Sequence, residues 1–379
     1  MTALAQIQQL RSDLASRFPE RREAIDGSLA AVLASEHCLL VGPPGTAKSS
    51  LVRAIAQAFG GVYFERLLTK FSTLEELFGP VSLKALEQDR YQRVTTGKLP
   101  EAEFCVIDEV FKSNSAILNS LLTAMNEKIF HNAVPVQMPL VSLFGASNEL
   151  PEGKELEALF DRFLLRFDVQ YLLRPSSFRS ILRAPDPTPS VALTMPILRE
   201  AQAAVTNIAV TDDTLQALIS IRDNCKAEGI IASDRRWKKT IKIVQATAYL
   251  AGETSTTPED LLVLTHALWR EPKEYSKVAH IVGELADPVS AKAAEVLDTA
   301  RETAGRVAGL RTTDRRSYVG QAAQALEEFQ QQQERLKDLS RGAGPRAKQT
   351  LSDAAQEIGQ LHSDLAHALS AGLGLGAAH

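Results

Sequence analysis

Between residues 37 and 170, short apolar runs alternate with segments in which apolar residues recur at helical spacing. The runs at 37–41, 61–65, 103–107, 140–146 and 166–170 predict strands, and helices are predicted to start near Ser49, Ser113 and Glu155. Alternation of this kind predicts a mainly parallel sheet covered by helices. Ahead of it, Leu4, Ile7, Leu10 and Leu14, and then Ile25, Leu29, Val32 and Leu33, have helical spacing.

The pattern then changes. Ala184, Pro185, Asp186, Pro187, Thr188 and Pro189 cannot continue a helix and read as a linker. Residues 194–270 are helical throughout in pattern, with starts at Thr211–Asp213 and Thr257–Asp260. Residues 275–379 are rich in Ala, Glu, Gln and Arg, again with helical periodicity. The polar stretch Ala323–Leu339 predicts a largely exposed arm, broken into a hairpin at Arg341–Pro345. The tail after Ser370 is expected to fray.

Two of the predicted strands end in chemistry. After 37–41 comes Gly42, Pro43, Pro44, Gly45, Thr46, Ala47, Lys48, Ser49 and Ser50, leading into the amphipathic segment of Leu51, Val52, Ile55 and Phe59. A strand, a glycine-bearing loop and a helix make a phosphate-binding loop. Its N–H groups cradle phosphate, Lys48 reaches the β- and γ-phosphates, and the Ser49 hydroxyl ligates Mg²⁺. The general pattern has Gly where Ala47 stands; Ala47 is acceptable there if its dihedrals are helical. The strand 103–107 runs into Asp108 and Glu109. Buried carboxylates at a strand end must be paired or bind a cation. Beside the loop, Asp108 is assigned to Mg²⁺ and Glu109 to polarising the water that attacks the γ-phosphate. Alone, such a strand end is more often a plain helix start.

Asn148 closes the next strand, 140–146, where its amide can orient that water; a turn role is the bland alternative. Arg162 follows Asp161, and serves either as an arginine presented to a neighbouring subunit's nucleotide or as half of a surface ion pair, with Arg166 as the rival candidate. Ser233–Lys239 opens a helix with Arg235, Arg236, Lys238 and Lys239. A basic group there is placed either to reach back to the γ-phosphate, to form a solvated face, or, least favoured, to bind nucleic acid.

Composition narrows the class. Net charge is −4 over 379 residues, which gives no overall bias toward nucleic acid or anionic membrane. Hydrophobic content of 45% and charged content of 23% are those of a globular protein. Cys38, Cys105 and Cys225 are scattered, without zinc or redox spacing, and fit a reducing cytoplasm. The seven histidines show no metal-ligand spacing. No signal-peptide core or membrane-length apolar run is found, so a cytoplasmic protein is expected.

The order of motifs resembles the AAA+ ATPases, and most closely the MoxR family in its RavA-like branch. The resemblance lies in Gly42–Ser49, Lys70–Pro80, Gly97–Glu103, Ile107–Lys112, Ile117–Glu127, Ala146–Pro151, Leu159–Phe163 and Ser233–Lys239. It implies an α/β fold: an αβα nucleotide core over 1–185, with an N-terminal helix in 1–19, then an all-α lid over 190–270 and a C-terminal helical arm or bundle over 271–379. It also implies ATP or ADP with Mg²⁺ as cofactors, Asn148 as first sensor, Arg162 as arginine finger and Arg235 as lid sensor. Residues 79–102 would be an insertion within a helix, with Tyr91–Thr95 in a hairpin, and 127–139 a second hairpin. The partners implied are further copies in a hexameric ring, a von Willebrand factor A-domain protein and a protein client.

Overall fold

The computed structural model describes residues 2–151, 153–183, 191–313, 315–341, 343 and 345–372. The chain divides into two compact units, Met1–Tyr275 and Ser276–His379.

The first unit begins with helices α1 (Ala3–Arg17) and α2 (Arg22–Ala34). Then come β1 (Cys38–Val41), α3 (Lys48–Phe59), β2 (Tyr63–Leu67), α4 (Leu74–Phe78), α5 (Leu83–Leu86) and β3 (Phe104–Asp108). A single 3-10 turn at Val110–Lys112 leads to α6 (Ser115–Glu127). A hairpin of β4 (Ile129–Asn132) and β5 (Val134–Gln137) follows, then β6 (Ser142–Ser147), α7 (Lys154–Phe160), β7 (Leu165–Asp168) and α8 (Pro175–Arg183). The helical portion holds α9 (Met195–Thr206), α10 (Asp212–Ala227), α11 (Asp234–Ala251) and α12 (Thr265–Leu268).

Five strands form one sheet in the order β2-β3-β6-β1-β7, and every pairing is parallel. β1, β3 and β6 lie in its interior, and their apolar runs are buried on both faces, as parallel strands under helices must be. All strands therefore end on the same edge. That edge carries the loop after β1, Asp108 at the end of β3, and Asn148 just past β6. The opposite, amino edge carries His37 before β1 and the turn Asp161–Leu164 before β7, since Cys38 lies beside Leu165.

Each predicted strand is present within a residue or three of its expected place. The β4–β5 hairpin is the one expected over 127–139. Tyr91–Thr95 returns against residues 79–82 through a single bridge, Val81 to Arg93, and not through a ladder. The expected linker, 184–189, lies outside the described residues.

The second unit takes in most of α13 (Pro272–Ala286) and then α14 (Pro288–Thr313), α15 (Arg315–Ser340) and α16 (Pro345–Gly372). The exposed arm expected over 323–339 is corrected here. That stretch is the C-terminal two-thirds of α15, which packs with α14 and α16 as a three-helix bundle. Ala325, Phe329 and Leu336 are buried in it, so a few apolar positions on one stripe anchor an otherwise polar helix.

Candidate active site

The loop between β1 and α3 owes its shape to positive dihedrals. Gly42 has φ 150°, Gly45 80° and Ala47 65°. A Cβ on Gly42 would come within 2.1 Å of the Val169 carbonyl oxygen, so only glycine fits. Ala47 differs from expectation: it is left-handed, not right-handed helical, and forms the N-cap of α3. The Cβ is a real burden there, roughly 1–2 kcal/mol relative to the right-handed form. The left-handed turn is nevertheless what bends successive N–H groups into an anion-holding concavity.

Around this loop the sequence-predicted groups come together. Lys48 Nζ donates to the carbonyls of Gly42 (2.7 Å) and Pro43 (2.9 Å) and to Asn148 Oδ1 (3.0 Å). Burial pulls the Lys48 ammonium below its usual pKa, against the opposing pull of Asp108 and Glu109. Ser49 Oγ donates to Asp108 Oδ2 at 3.0 Å. Asp108 Oδ1 accepts the Glu109 N–H at 3.0 Å, and Glu109 itself is left-handed, at φ 52°. The Asn148 amide donates to Glu109 Oε1, and Lys112 Nζ lies 3.3 Å from Glu109 Oε2. Sequence reasoning missed Lys112, although its place three residues after Glu109 was a usable signal.

The donor set suits a triphosphate with a hard cation. A hydroxyl and one carboxylate, side by side at 3.0 Å, are the few oxygen ligands that Mg²⁺ takes alongside substrate phosphates. Behind the loop, a cavity of about 700 Å³ is lined by Glu20, Arg21, Val169, Leu173, His266 and Tyr275, among others. It meets the loop at Val169, and Tyr171 Oη donates to the Pro44 carbonyl at 3.2 Å.

The arginines occupy the other edge. Arg166, 1% exposed, donates to the carbonyls of Trp269 and Phe160 and lies 3.9 Å over the Phe160 ring. Arg236, also buried, donates to the carbonyls of Ala267 (2.6 Å), Asp161 (3.0 Å), Phe163 (3.1 Å) and Leu164 (2.7 Å). Burial brings its pKa down to about 10, against the pull of Asp161. Both are latches that hold the helical portion to the sheet. Arg162 and Arg235 are not buried in this way. Arg162 is 23% exposed with Asp161 Oδ2 at 3.7 Å, and Arg235, exposed, reaches Asn126 Oδ1. Burial and then the positive charge of Arg235 lower the Arg162 pKa, against the pull of Asp161. Arg235 was expected to reach back to the γ-phosphate. In this structure its guanidinium instead donates to Asn126, at the C-terminal end of α6.

This is the AAA+ arrangement: a parallel phosphate-loop sheet followed by a helical lid. Comparison with known proteins agrees. The family model described as the MoxR domain in the MoxR-vWA-beta-propeller ternary systems matches residues 5–188, and an AAA lid domain matches 213–282. An uncharacterized protein of Methanocaldococcus jannaschii is 43% identical over 276 residues, covering 72% of this chain and 74% of that one. The chaperone MoxR1 of Mycobacterium tuberculosis is 25% identical over 274 residues, 65% of this chain and 71% of its own. A crystal structure of a candidate ATPase from Cytophaga hutchinsonii superposes with a TM-score of 0.60 at 17% identity, over 75% of this chain and 94% of that one, and shares the fold. The chain belongs to the MoxR family of AAA+ ATPases. The matches name that family and do not reach the RavA-like branch.

Proposed function

We propose that this chain is a Mg²⁺-dependent ATPase, working as a ring of identical copies, that remodels or matures a protein complex. The unbroken chain Lys48–Asn148–Glu109 across the carboxyl edge, with Ser49 and Asp108 beside it, is the observation that supports hydrolysis most directly. Lys48 and the loop amides bind and orient the β- and γ-phosphates. Ser49 and Asp108 hold Mg²⁺, which when bound neutralises charge on those phosphates. Glu109 takes the proton of the attacking water, and Asn148 positions it. The adenine base sits in the cavity behind the loop, whose size falls in the range of ligand pockets.

Arg162 and Arg235 are too accessible to be latches, and among the described residues neither bonds its own phosphate loop, so they serve the nucleotide of a neighbouring copy. Arg235 thereby becomes a second trans-acting arginine and not a sensor within its own chain. A closed ring, hexameric by family resemblance, satisfies this arrangement at every site. The partner is a von Willebrand factor A-domain protein, because the matched domain is described in systems containing one. No helix among the described residues is long and apolar enough to cross a membrane, and the three cysteines are free and buried. We place the ring in the cytoplasm.

Glu109→Gln tests the hydrolytic role. It should keep ATP binding and cut turnover by about 10²-fold or more; near-normal turnover would sink the assignment. Arg162→Ala should lose turnover and regain part of it when mixed with Lys48→Ala subunits, because one of the two orientations of a mixed interface joins an intact phosphate loop to an intact Arg162. No recovery at any ratio speaks against action in trans. A slower variant of the same machine, an ATP-gated assembly switch, draws support from the double tie on Glu109. It predicts full partner binding by Glu109→Gln.

A further inference from the structure

Glu109 is restrained twice, and the two restraints answer to different things. The Asn148 amide holds Oε1, and Asn148 is in turn held by Lys48 at 3.0 Å. A triphosphate draws Lys48 to its own oxygens, so this first tie is coupled to nucleotide through the Lys48–Asn148 bond. The second tie is the Lys112 ammonium, 3.3 Å from Oε2. Among the described residues no phosphate-loop residue bonds Lys112 directly, so its link to the phosphates runs through Glu109 itself.

We propose that Lys112 is a positioning residue that clamps the base, and that its release is a second input needed for full turnover. This rests on the reading of Glu109 as general base. Four observations favour it. One contact on each carboxylate oxygen takes about two of the four lone-pair sites of Glu109, and the ammonium draws charge from the oxygen that a water proton would otherwise meet. The backbone at φ 52° sits in the sparsely populated left-handed region, a conformation that the surrounding contacts must hold in place. Lys112 is 45% exposed while Glu109 is 13% exposed, so a partner's carboxylate can take the ammonium from outside while the base stays sheltered. The element that carries Lys112 is only the three-residue turn Val110–Lys112, and the Phe111 ring packs 6.1 Å from Phe160, at the turn that presents Arg162. Engagement of Arg162 by a neighbouring copy therefore has a short packed route to the clamp.

The test is Lys112→Met in the full chain, without partner. Turnover at saturating ATP should rise up to about fivefold, the scale of one partly exposed ion pair, with KM for ATP unchanged. Lys112→Arg should restore the low rate. Equal or lower turnover in Lys112→Met, in protein that melts and binds ATP as the wild type does, overturns the clamp. A readout that needs no turnover is the nitrogen resonance of the Lys112 ammonium. It should shift on Glu109→Gln and stay unmoved on adding ADP with Mg²⁺. A resonance insensitive to Glu109→Gln overturns the clamp even if hydrolysis is undetectable. Failure of the ATPase reading looks different: wild type and Glu109→Gln would turn over ATP equally while the resonance still shifted.

Discussion

The two edges of the sheet carry the same kinds of side chain and use them in opposite ways. At the carboxyl edge, Lys48, Asp108, Glu109 and Asn148 bond one another in a partly exposed chain, and each of those bonds can be exchanged for one to a phosphate, a cation or a water. At the amino edge, Arg166 and Arg236 are spent on backbone carbonyls that no ligand can replace. A buried cation bonded to several carbonyls fixes one packing; a half-exposed chain of ion–dipole contacts remains free to rearrange. Adjacent arginines thus differ: Arg236 latches the lid to the sheet, while Arg235, one residue earlier, stays exposed and reaches only the Asn126 side chain.

Breaking each edge should therefore give a different failure. Glu109→Gln, with its loss of about 10²-fold or more in turnover, should leave the unfolding midpoint within the ordinary range of surface changes. Arg236→Met should do the reverse. It strips hydrogen bonds from the carbonyls of Ala267, Asp161, Phe163 and Leu164, and we expect a loss of about 3–5 kcal/mol in urea unfolding. Arg235→Met, by contrast, should change stability by less than about 0.5 kcal/mol and lower turnover. A large stability loss in Arg235→Met would collapse the distinction between the two arginines.

Acid probes the amino edge without mutation. His37 is fully buried; its Nδ1 accepts the Leu143 N–H at 3.0 Å, so Nε2 carries the proton donated to the Met125 carbonyl at 2.9 Å. Burial drives its pKa from 6.5 down to about 3. The folded-state pKa is depressed, so between those values the unfolded chain binds the proton and the folded chain does not. Stability should fall as pH drops below 6.5, by about 1.4 kcal/mol per pH unit from this group. Urea unfolding at pH 7 and pH 5 covers a window above most carboxylate titration, and should register about 2 kcal/mol. A flat profile there would mean that water or an acid reaches His37.

Much of the carboxyl edge was legible in the sequence because its parts are local. A continuous apolar run names each interior strand, and the residues just past the strand ends at 41, 108 and 147 necessarily share an edge once the sheet is parallel. The amino edge was not legible. Arg166 bonds Trp269, 103 residues later, and Arg236 bonds Leu164, 72 residues earlier. Nothing near Arg166 or Arg236 in sequence distinguishes it from Arg162 or Arg235; burial by distant segments does. The same limit hid α15. Its composition is that of a solvated helix, and only the stripe of Ala325, Phe329 and Leu336 tells where it packs. Local dihedrals were the third blind spot, since the motif names the residue at 47 but not its φ.

That residue gives the smallest test of the comparison. Ala47 is left-handed at φ 65° and ψ 24°, where a Cβ crowds the following carbonyl. Ala47→Gly removes the crowding but adds backbone freedom to the unfolded chain, and the two terms oppose each other. We expect a net gain of at most about 1 kcal/mol in thermal unfolding, with ATP affinity unchanged, because the loop amides keep their directions. Ala47→Val should go the other way: a β-branched side chain is least tolerated at positive φ, so the loop should shift and ATP affinity fall. If Ala47→Val instead bound ATP as the wild type does, the left-handed turn would not be what aims the amides, and the carboxyl edge would be more forgiving than its geometry implies.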